Sequence, residues 1–249
     1  MNPNEKIVVV GGVAGGASAA ARARRLCERC SIVVLDKGPF VSFANCGLPY
    51  FVGNVIREEK DLIVASPELF KQRFNIDVRT EHEVLAIDRT RHELEVKDLR
   101  NGKTYREPYT KLVLSPGAAA IVPPLPGVDL PGVFVLRTIP DSRRIREWID
   151  ARHAKRAVVV GAGFIGLETA ENLARRDIHV AIIEMGTQVM PPLDPEMAAY
   201  VEQRLRERGA VFGTKMNWER ANYFLPRGAA LPAPTLDTPG WLPHVLDEQ

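Results

Sequence analysis

The sequence predicts an α/β fold in which a strand, a glycine-rich loop and a helix follow one another twice. The first copy starts with the β-branched run Ile7–Val10, which is typical of a buried parallel strand. The second starts in the same way at Ala157–Val160. In each copy the strand after the helix ends in an acidic residue, Asp36 or Glu184. Together these features predict two tandem, three-layer, Rossmann-like nucleotide-binding folds.

The composition is that of a globular protein, because 45% of its 249 residues are hydrophobic and can bury a large core. Lys and Arg number 33 against 31 Asp and Glu, so the net charge of +2 makes no electrostatic case for binding nucleic acid or a membrane surface. No stretch approaches the ~20 apolar residues of a spanning helix, and a signal peptide is not recognisable. We therefore expect a cytoplasmic protein with no nucleic-acid or membrane partner.

The first loop, residues 11–16, lies where the pyrophosphate of a dinucleotide would bind. Glycines let the backbone approach the phosphates, and helix N-terminal N–H groups meet their charge. Val13 departs from the usual glycine pattern, but Asp36 follows at the spacing that a ribose requires. A tight turn beside a surface aspartate is the weaker alternative. The predicted cofactor-binding residues are Gly11, Gly12, Val13, Ala14, Gly15, Gly16, Asp36 and Lys37.

The second loop, residues 161–166, fits the dinucleotide fingerprint completely. A helix at about 167–176 follows, and the next strand, His179–Ile183, ends in Glu184. A carboxylate there accepts the ribose 2′-hydroxyl of NAD and repels the 2′-phosphate of NADP, so we predict NADH as the preferred nucleotide and NADPH as the poorer one. The predicted binding residues are Gly161, Gly163, Phe164, Ile165, Gly166 and Glu184.

Between the two loops the pattern predicts a short helix and a small sheet. Ser66 followed by Pro67 is typical of a helix start. Apolar and charged residues alternate over Asp77–Leu114, and Asn101 with Gly102 is a hairpin signal, which predicts a small antiparallel meander.

These elements define four segments. We expect a first nucleotide-binding domain at 1–120, a linker with a connecting helix at 121–153, an incomplete second nucleotide-binding domain at 154–215, and an irregular, Pro-rich tail at 216–249. We interpret the tail as a truncation or a change of reading frame near Lys215, because a doubly wound sheet needs further strands.

Cys27 and Cys30 form a Cys-x2-Cys pair that we interpret as packing residues between the first helix and the next strand. A zinc site needs four ligands, and no second pair of ligands is recognisable, so no metal site is predicted. A thioredoxin-type pair gains acidity at a helix N-terminus, whereas these cysteines lie near a helix end. The chain has three cysteines, too few for a disulfide framework.

Cys46 lies in the segment Ser42–Tyr50, at the predicted start of a helix whose N–H groups favour a thiolate. Phe51 stands where a Cys-x4-Cys pair would have its second cysteine. Any disulfide of Cys46 must therefore take its other sulfur from outside this segment. A buried structural cysteine is the weaker alternative, because the surrounding Ser, Asn and Gly are poor core material.

Three motifs resemble those of the pyridine nucleotide-disulfide oxidoreductases: the segment Ser42–Tyr50, the Gly-Gly-x-Ala-Gly-Gly loop and the run Ser115–Ala118. The resemblance extends over about residues 5–212. The resemblance is to the coenzyme A-disulfide reductase and NADH oxidase branch. It implies an FAD-dependent enzyme that uses NAD(P)H to reduce a small-molecule disulfide, in the first place coenzyme A disulfide, through a mixed disulfide with the catalytic Cys46. It also implies a homodimer for the intact family.

The resemblance further implies that Gly117 passes close to the flavin, with Pro49 and Tyr50 shaping the turn nearby. The substrate contacts that it implies are Ser18, Arg22, Arg25, Ser42 and Asn45. Spacing alone places the first three on one helix face, which is equally typical of a solvated basic surface.

Three other functions stay open: an oxygen- or peroxide-reducing enzyme, a persulfide reductase, and an inactive nucleotide-binding remnant.

Overall fold

The computed structural model describes residues 5–207 and the backbone of two further strands. Within these residues the helices are α1 Ala14–Leu26, α2 Leu48–Val52, α3 Pro67–Phe74, α4 Ile139–Arg152, α5 Phe164–Ala174 and α6 Pro195–Glu207. The strands are β1 Lys6–Val10, β2 Ser31–Asp36, β3 Asp77–Thr80, β4 His82–Asp88, β5 Glu93–Asp98, β6 Thr104–Pro108, β7 Lys111–Leu114, β8 Arg156–Val160, β9 His179–Ile183, β10 Ala210–Lys215 and β11 Trp218–Phe224.

The described residues form two compact units. The first comprises the residues up to Leu48 together with Glu58–Ile139, and the second comprises Pro49–Arg57 together with the residues from Pro140 onward. This grouping cuts across the predicted linker at 121–153, since its first part lies with the first unit and α4 lies with the second. The short segment Pro49–Arg57 leaves the first unit only three residues after Cys46.

The first unit is built on a parallel sheet with the strand order β3-β2-β1-β7. Its strands are buried on both faces, which explains why β1 and β2 are continuous apolar runs. Val9 and Val34 pack towards α1 and α3, whereas Val8 and Val33 pack towards β5. The unit therefore has three layers, with helices on one side of the parallel sheet and an antiparallel sheet on the other.

The predicted meander over Asp77–Leu114 is only partly correct. Strands β4, β5 and β6 form the antiparallel sheet, and Gly102 turns the chain between β5 and β6 with a φ of +74°. The two end strands are different, because β3 pairs with β2 and β7 pairs with β1, both in parallel. Alternation of apolar and charged residues identifies a strand, but not the sheet that the strand joins.

The helix predicted at Ser66 is confirmed. The Ser66 hydroxyl accepts a hydrogen bond from the N–H of Leu69 at 3.3 Å, Pro67 occupies the first turn, and Asn75 ends the helix in the left-handed conformation. This helix covers one face of the parallel sheet through Phe70, which is buried.

Cys27 and Cys30 form a disulfide, which corrects their interpretation as two unpaired packing residues. Their Cα atoms lie 5.6 Å apart, within the range that a disulfide bridges. Both cysteines are nevertheless buried in the core, as expected. The reason is local: Cys27 ends α1, and the turn that follows brings the chain back towards β2.

The second unit contains the parallel pair β8 and β9, joined through α5, and the antiparallel pair β10 and β11. The tail was predicted to be irregular, but its residues Trp218–Phe224 form strand β11, which pairs with β10. The prediction missed this strand because main-chain hydrogen bonds form it without a strict alternation of side chains. The rest of the predicted tail lies outside the described residues. In the described part of the chain, no helix has the length and apolar character to cross a bilayer, and no cluster of three metal-ligating side chains is found.

Candidate functional site

The first glycine loop connects β1 to α1 at the carboxyl edge of the parallel sheet. Gly11 has a φ of +93°, and a Cβ there would collide with the carbonyl oxygen of Ser115, just after β7. A Cβ on Gly16 would collide with the carbonyl oxygen of Gly11. Only glycine allows this tight turn at both positions. The loop thus lies between the ends of β1 and β7, where the chain order of the sheet reverses and where α/β proteins bind ligands.

Asp36 ends β2 beside this loop. One carboxylate oxygen accepts a hydrogen bond from the N–H of Gly12 at 2.6 Å, and the other accepts one from the N–H of Gly38 at 2.7 Å. Burial raises the pKa of Asp36, while these two N–H donors act in the opposite direction. The ammonium group of Lys37 instead lies 2.8 Å from the carboxylate of Glu83. The structure thus brings Asp36 to the loop, whereas Lys37 points to the antiparallel sheet.

The second loop repeats this arrangement in the other unit. Gly161 has a φ of +103°, and a Cβ on Gly166 would collide with the carbonyl oxygen of Gly161. The carboxylate of Glu184 accepts hydrogen bonds from the N–H of Ala162 at 2.7 Å and from the N–H of Gly186 at 2.8 Å. The two units therefore share one arrangement, in which an acidic residue at the end of a strand accepts hydrogen bonds from the glycine loop and from the N–H two residues further on.

Both helix N-termini are suited to phosphate. The first turns of α1 and α5 contain no acidic residue, and neither Val13 nor Gly163 caps its helix with a side-chain hydrogen bond. Ala14 and Gly15 are exposed in the first loop, and a Cβ on Gly163 would meet no described atom within 4 Å. Uncapped N–H groups beside open space fit the pyrophosphate of FAD in the first unit and of a nicotinamide dinucleotide in the second. Phe164 and Ile165 are exposed at the second loop.

Ser115, beside the first loop, and Arg137, beside Gly117, were not among the predicted site residues. Ser115 donates its N–H to the carbonyl of Val10 at 2.8 Å, and its hydroxyl oxygen lies 2.5 Å from the position of a Cβ on Gly15. Arg137 donates from Nε to the carbonyl of Ala118 at 2.9 Å, beside Gly117, which has a φ of +71°. Ser115 lies in a motif that the sequence shows, whereas no local signal indicates Arg137.

Cys46 is exposed and unpaired, which excludes the alternative of a buried structural cysteine. It lies in the 3₁₀ turn Asn45–Gly47, which runs directly into α2. The segment before it is tied to the first glycine loop, since Ser42 donates its N–H to the carbonyl of Gly12 at 2.8 Å. Ser42 has a φ of +47°, a strained conformation for a non-glycine residue. The thiol-bearing segment is therefore anchored at the first glycine loop.

Ser18, Arg22 and Arg25 are exposed on α1, as the helical spacing predicts. Their neighbour Arg24 has a different role that sequence reasoning missed. Its guanidinium group donates to carbonyl oxygens that end α1 and α3, namely those of Cys27, Glu28, Cys30, Phe74 and Asn75. Arg24 thus joins two helix ends, and the spacing of arginines along α1 does not distinguish it from the exposed ones. The substrate contacts of Ser18, Arg22, Arg25, Ser42 and Asn45 stay predictions.

Comparison with known proteins identifies relatives of the same architecture. Coenzyme A disulfide reductase from Staphylococcus haemolyticus is 41% identical over 203 residues, which are 82% of this chain and 46% of the relative. The reduced Bacillus anthracis CoADR-RHD superimposes with a TM-score of 0.80 at 48% identity, over 82% of this chain and 37% of that one. A NAD-dependent persulfide reductase from A. fulgidus gives a TM-score of 0.77 at 41% identity, over 81% and 38% of the two chains.

The chain therefore spans about half the length of the curated relative that it matches. These likenesses confirm the predicted fold class of tandem FAD- and NAD-binding folds with an incomplete second half. The model of the pyridine nucleotide-disulphide oxidoreductase family matches residues 5–222. With this match and the geometry of the two glycine loops, the chain belongs to the pyridine nucleotide-disulphide oxidoreductase family.

Proposed function

We propose that this chain provides the redox cysteine and both nucleotide loops of an FAD-dependent reductase that uses NADH to reduce coenzyme A disulfide. The observation that carries the proposal is the exposed, unpaired thiol of Cys46 in a segment hydrogen-bonded to the first glycine loop. The identities of 41% and 48% to coenzyme A disulfide reductase and CoADR-RHD support this substrate. We further propose a cytoplasmic location, as expected from the composition, and a homodimer for the intact family, as the resemblance implies.

The residues that would hold FAD are those of the first loop, Gly11–Gly16, with Asp36 for the ribose and Gly117 near the ring system. When bound, FAD supplies the transfer of two electrons from the nicotinamide to the disulfide. The second loop, Gly161–Gly166, would hold the nicotinamide nucleotide, with Glu184 at its ribose. A carboxylate at that position favours NADH, which agrees with the NAD dependence of the persulfide reductase. Steady-state kinetics with both nucleotides test this preference.

Cys46 would perform the covalent chemistry. Its thiolate attacks one sulfur of the substrate disulfide, forms a mixed disulfide and releases one thiolate. Two electrons and one proton then cleave the mixed disulfide, release the second thiol and restore the Cys46 thiolate. With Cys27 and Cys30 paired, Cys46 is the free thiol of the three cysteines in the chain.

Arg22 and Arg25 would contribute to recognition of the substrate. Coenzyme A carries several phosphates, and two exposed guanidinium groups on one helix face offer them charge-assisted hydrogen bonds. Ser18 lies on the same face, one turn before Arg22. These contacts would bind the nucleotide part of the substrate and leave the disulfide to Cys46.

The decisive experiment compares the full-length chain with its Cys46→Ser variant. We expect both proteins to be yellow with the same flavin content, and the variant to lose disulfide reduction on the order of 1,000-fold or more, because no other thiol can form the mixed disulfide. Mass spectrometry of the unreduced protein should show a coenzyme A adduct on Cys46. A gain of one oxygen atom instead indicates a peroxide- or oxygen-reducing enzyme. A colourless preparation indicates a remnant that cannot catalyse the reaction.

Persulfide reduction is the second candidate, favoured by the TM-score of 0.77 to the NAD-dependent persulfide reductase. The same exposed thiol would attack a sulfur chain. A polysulfide carries no nucleotide, so this reaction does not need the basic face of α1. The two functions differ in their response to Arg25→Met. Reduction of coenzyme A disulfide should weaken through a higher KM, whereas turnover of polysulfide should not change.

A further inference from the structure

The segment Pro49–Arg57 begins three residues after Cys46 and belongs by its contacts to the second unit. No loop separates it from the cysteine, because the 3₁₀ turn Asn45–Gly47 continues directly into α2, Leu48–Val52. Leu48 donates its N–H to the carbonyl of Asn45, so the turn and the helix share hydrogen bonds. A displacement of α2 must therefore displace Cys46.

The first contact that holds α2 is steric. Gly53 is buried directly after α2, and a Cβ there would lie 2.6 Å from both Cβ and Oδ1 of Asn172 in α5. Asn172 is fully buried, and its Nδ2 donates to the carbonyl of Glu168 at 2.8 Å within the same helix. Gly53 and Asn172 are both buried, so neither can move apart without loss of packing in the second unit. The backbone of Gly53 therefore packs directly against α5.

The second set of contacts consists of hydrogen bonds from arginines to main-chain carbonyls. Arg176, just beyond α5, donates from Nη1 to the carbonyl of Val52 at 2.9 Å. Arg146 of α4 donates from Nη1 to the carbonyl of Arg57 at 2.8 Å, and its Cζ lies 4.5 Å from the ring centroid of Phe51. Carbonyls at a helix end lack intrahelical partners, so the Arg176 guanidinium satisfies the carbonyl that ends α2. Arg146 instead holds the chain beyond α2 at Arg57 and packs over the ring of Phe51 within α2.

Arg176 is the better anchored of the two guanidinium groups. Its side chain is 11% exposed, and its Nη2 forms an ion pair with Asp150 at the end of α4. One planar group thus joins α4 to the backbone of α2 with two donors in fixed geometry. The ion pair and the carbonyl hydrogen bond can be separated by mutation, because they use different nitrogens.

We propose that Arg176 is a positioning residue for Cys46, which fixes α2 through the carbonyl of Val52 and so fixes the orientation in which the thiol is presented. The position of Cys46 itself does not depend on the reaction that we propose for it. Only the consequence for turnover rests on the proposed function.

The test places a nitroxide spin label on Cys46 of the full-length protein and compares three variants by the line shape of the electron paramagnetic resonance spectrum. Arg176→Met removes both contacts, Asp150→Ala removes the ion pair alone, and Arg175→Met removes an exposed neighbour that pairs with Glu171. We expect an increase of about twofold in the mobile fraction for Arg176→Met only. An unchanged line shape in Arg176→Met, or the same increase in Asp150→Ala, overturns the proposal.

Gly53→Ala provides a second variant that removes no hydrogen bond. Its added methyl group displaces α2 from Asn172, so we expect the same mobile component at Cys46, and its absence counts against the proposal. The melting temperature of each variant separates a local effect from unfolding. For the unlabelled Arg176→Met protein we expect about a tenfold lower kcat with coenzyme A disulfide, because small misplacements of a reacting group are costly. If the unsubstituted protein does not react with this substrate but the label responds as expected, positioning stands and the proposed function fails.

Discussion

At the scale of single residues, Asp36 and Glu184 have the same structural task in different units. Asp36 accepts a hydrogen bond from the N–H of Gly12 at 2.6 Å, and Glu184 accepts one from the N–H of Ala162 at 2.7 Å. Each carboxylate also binds an N–H two residues further along its own chain segment. These residues therefore shape the loops in addition to the ribose contact that we propose for them.

The pKa of Asp36 predicts how its contribution to stability depends on pH. Burial raises this pKa above the ordinary value of 3.8, so ionisation of Asp36 disfavours the folded state. The contribution of Asp36 to the stability of the fold is complete below the unfolded-state pKa of 3.8 and declines as the pH rises through the raised pKa of the folded state. We expect the unsubstituted protein to lose stability relative to Asp36→Asn as the pH rises from 3.8 through the raised pKa of Asp36. Urea unfolding of both proteins across this range measures the difference.

Asp88 provides a control of opposite sign. Hydrogen bonds from the N–H groups of Arg91 and Thr90 lower the pKa of Asp88, with the larger effect from Arg91. Its contribution to stability is present above the ordinary value of 3.8 and is lost as the pH falls through the lowered one. Equal pH dependence for Asp36→Asn and Asp88→Asn would contradict the account of both residues.

At the scale of elements, the two glycines that bracket the turn into α5 have different roles. A Cβ on Gly166 would collide with the carbonyl of Gly161, whereas a Cβ on Gly163 would meet no described atom within 4 Å. We expect Gly166→Ala to lower stability by about 1–3 kcal/mol, because the turn must open. Gly163→Ala should leave stability unchanged and weaken NADH binding, because its methyl group occupies the space left for phosphate. Thermal unfolding and nucleotide titration of both variants distinguish the two roles.

The corner after α1 is closed by the disulfide between Cys27 and Cys30, together with the hydrogen bonds of Arg24. We predict one titratable thiol per chain in the denatured, unreduced protein, and three after reduction. The double variant Cys27→Ala, Cys30→Ala should be less stable by about 2 kcal/mol, as loop-closure entropy predicts for so short a loop.

Cys46→Ser is the control for that experiment, since it should remove the single reactive thiol without loss of stability. The protein is isolated without reductant, because an added thiol would cleave the disulfide before the thiols are titrated. Three reactive thiols in the denatured, unreduced chain would show that the corner holds a dithiol.

At the scale of the whole molecule, the two parallel sheets differ in how far they are covered. Val9 in β1 is fully buried, whereas Val158 and Val160 in β8 are 61% and 70% exposed among the described residues. Burial of apolar surface is the main source of stability, so the first unit should be the more stable one.

This difference predicts unequal effects of the same substitution. Val9→Ala removes about two buried methylene equivalents and should cost about 2 kcal/mol. Val158→Ala changes an exposed side chain and should cost less than about 0.5 kcal/mol. Urea unfolding of the two variants gives both values, and a large loss for Val158→Ala would mean that β8 is covered in solution.

Much of this arrangement could be predicted from short stretches of sequence. The loops at Gly11–Gly16 and Gly161–Gly166, the strands before them and the exposed cysteine follow from local patterns, because a tight phosphate-binding turn admits few residue types. The sheet that Asp77–Thr80 and Lys111–Leu114 join could not be predicted, since alternation does not identify a pairing partner.

By itself the sequence determined the two nucleotide-binding units, their acidic strand ends and the isolation of Cys46 from a Cys-x4-Cys partner. Each of these rests on residues close together along the chain, where sterics and hydrogen bonding act locally. Only the tertiary structure decided that Arg24 joins two helix ends and that the end of α2 is held by Arg176. These contacts join groups whose approach depends on packing, and packing depends on the whole chain.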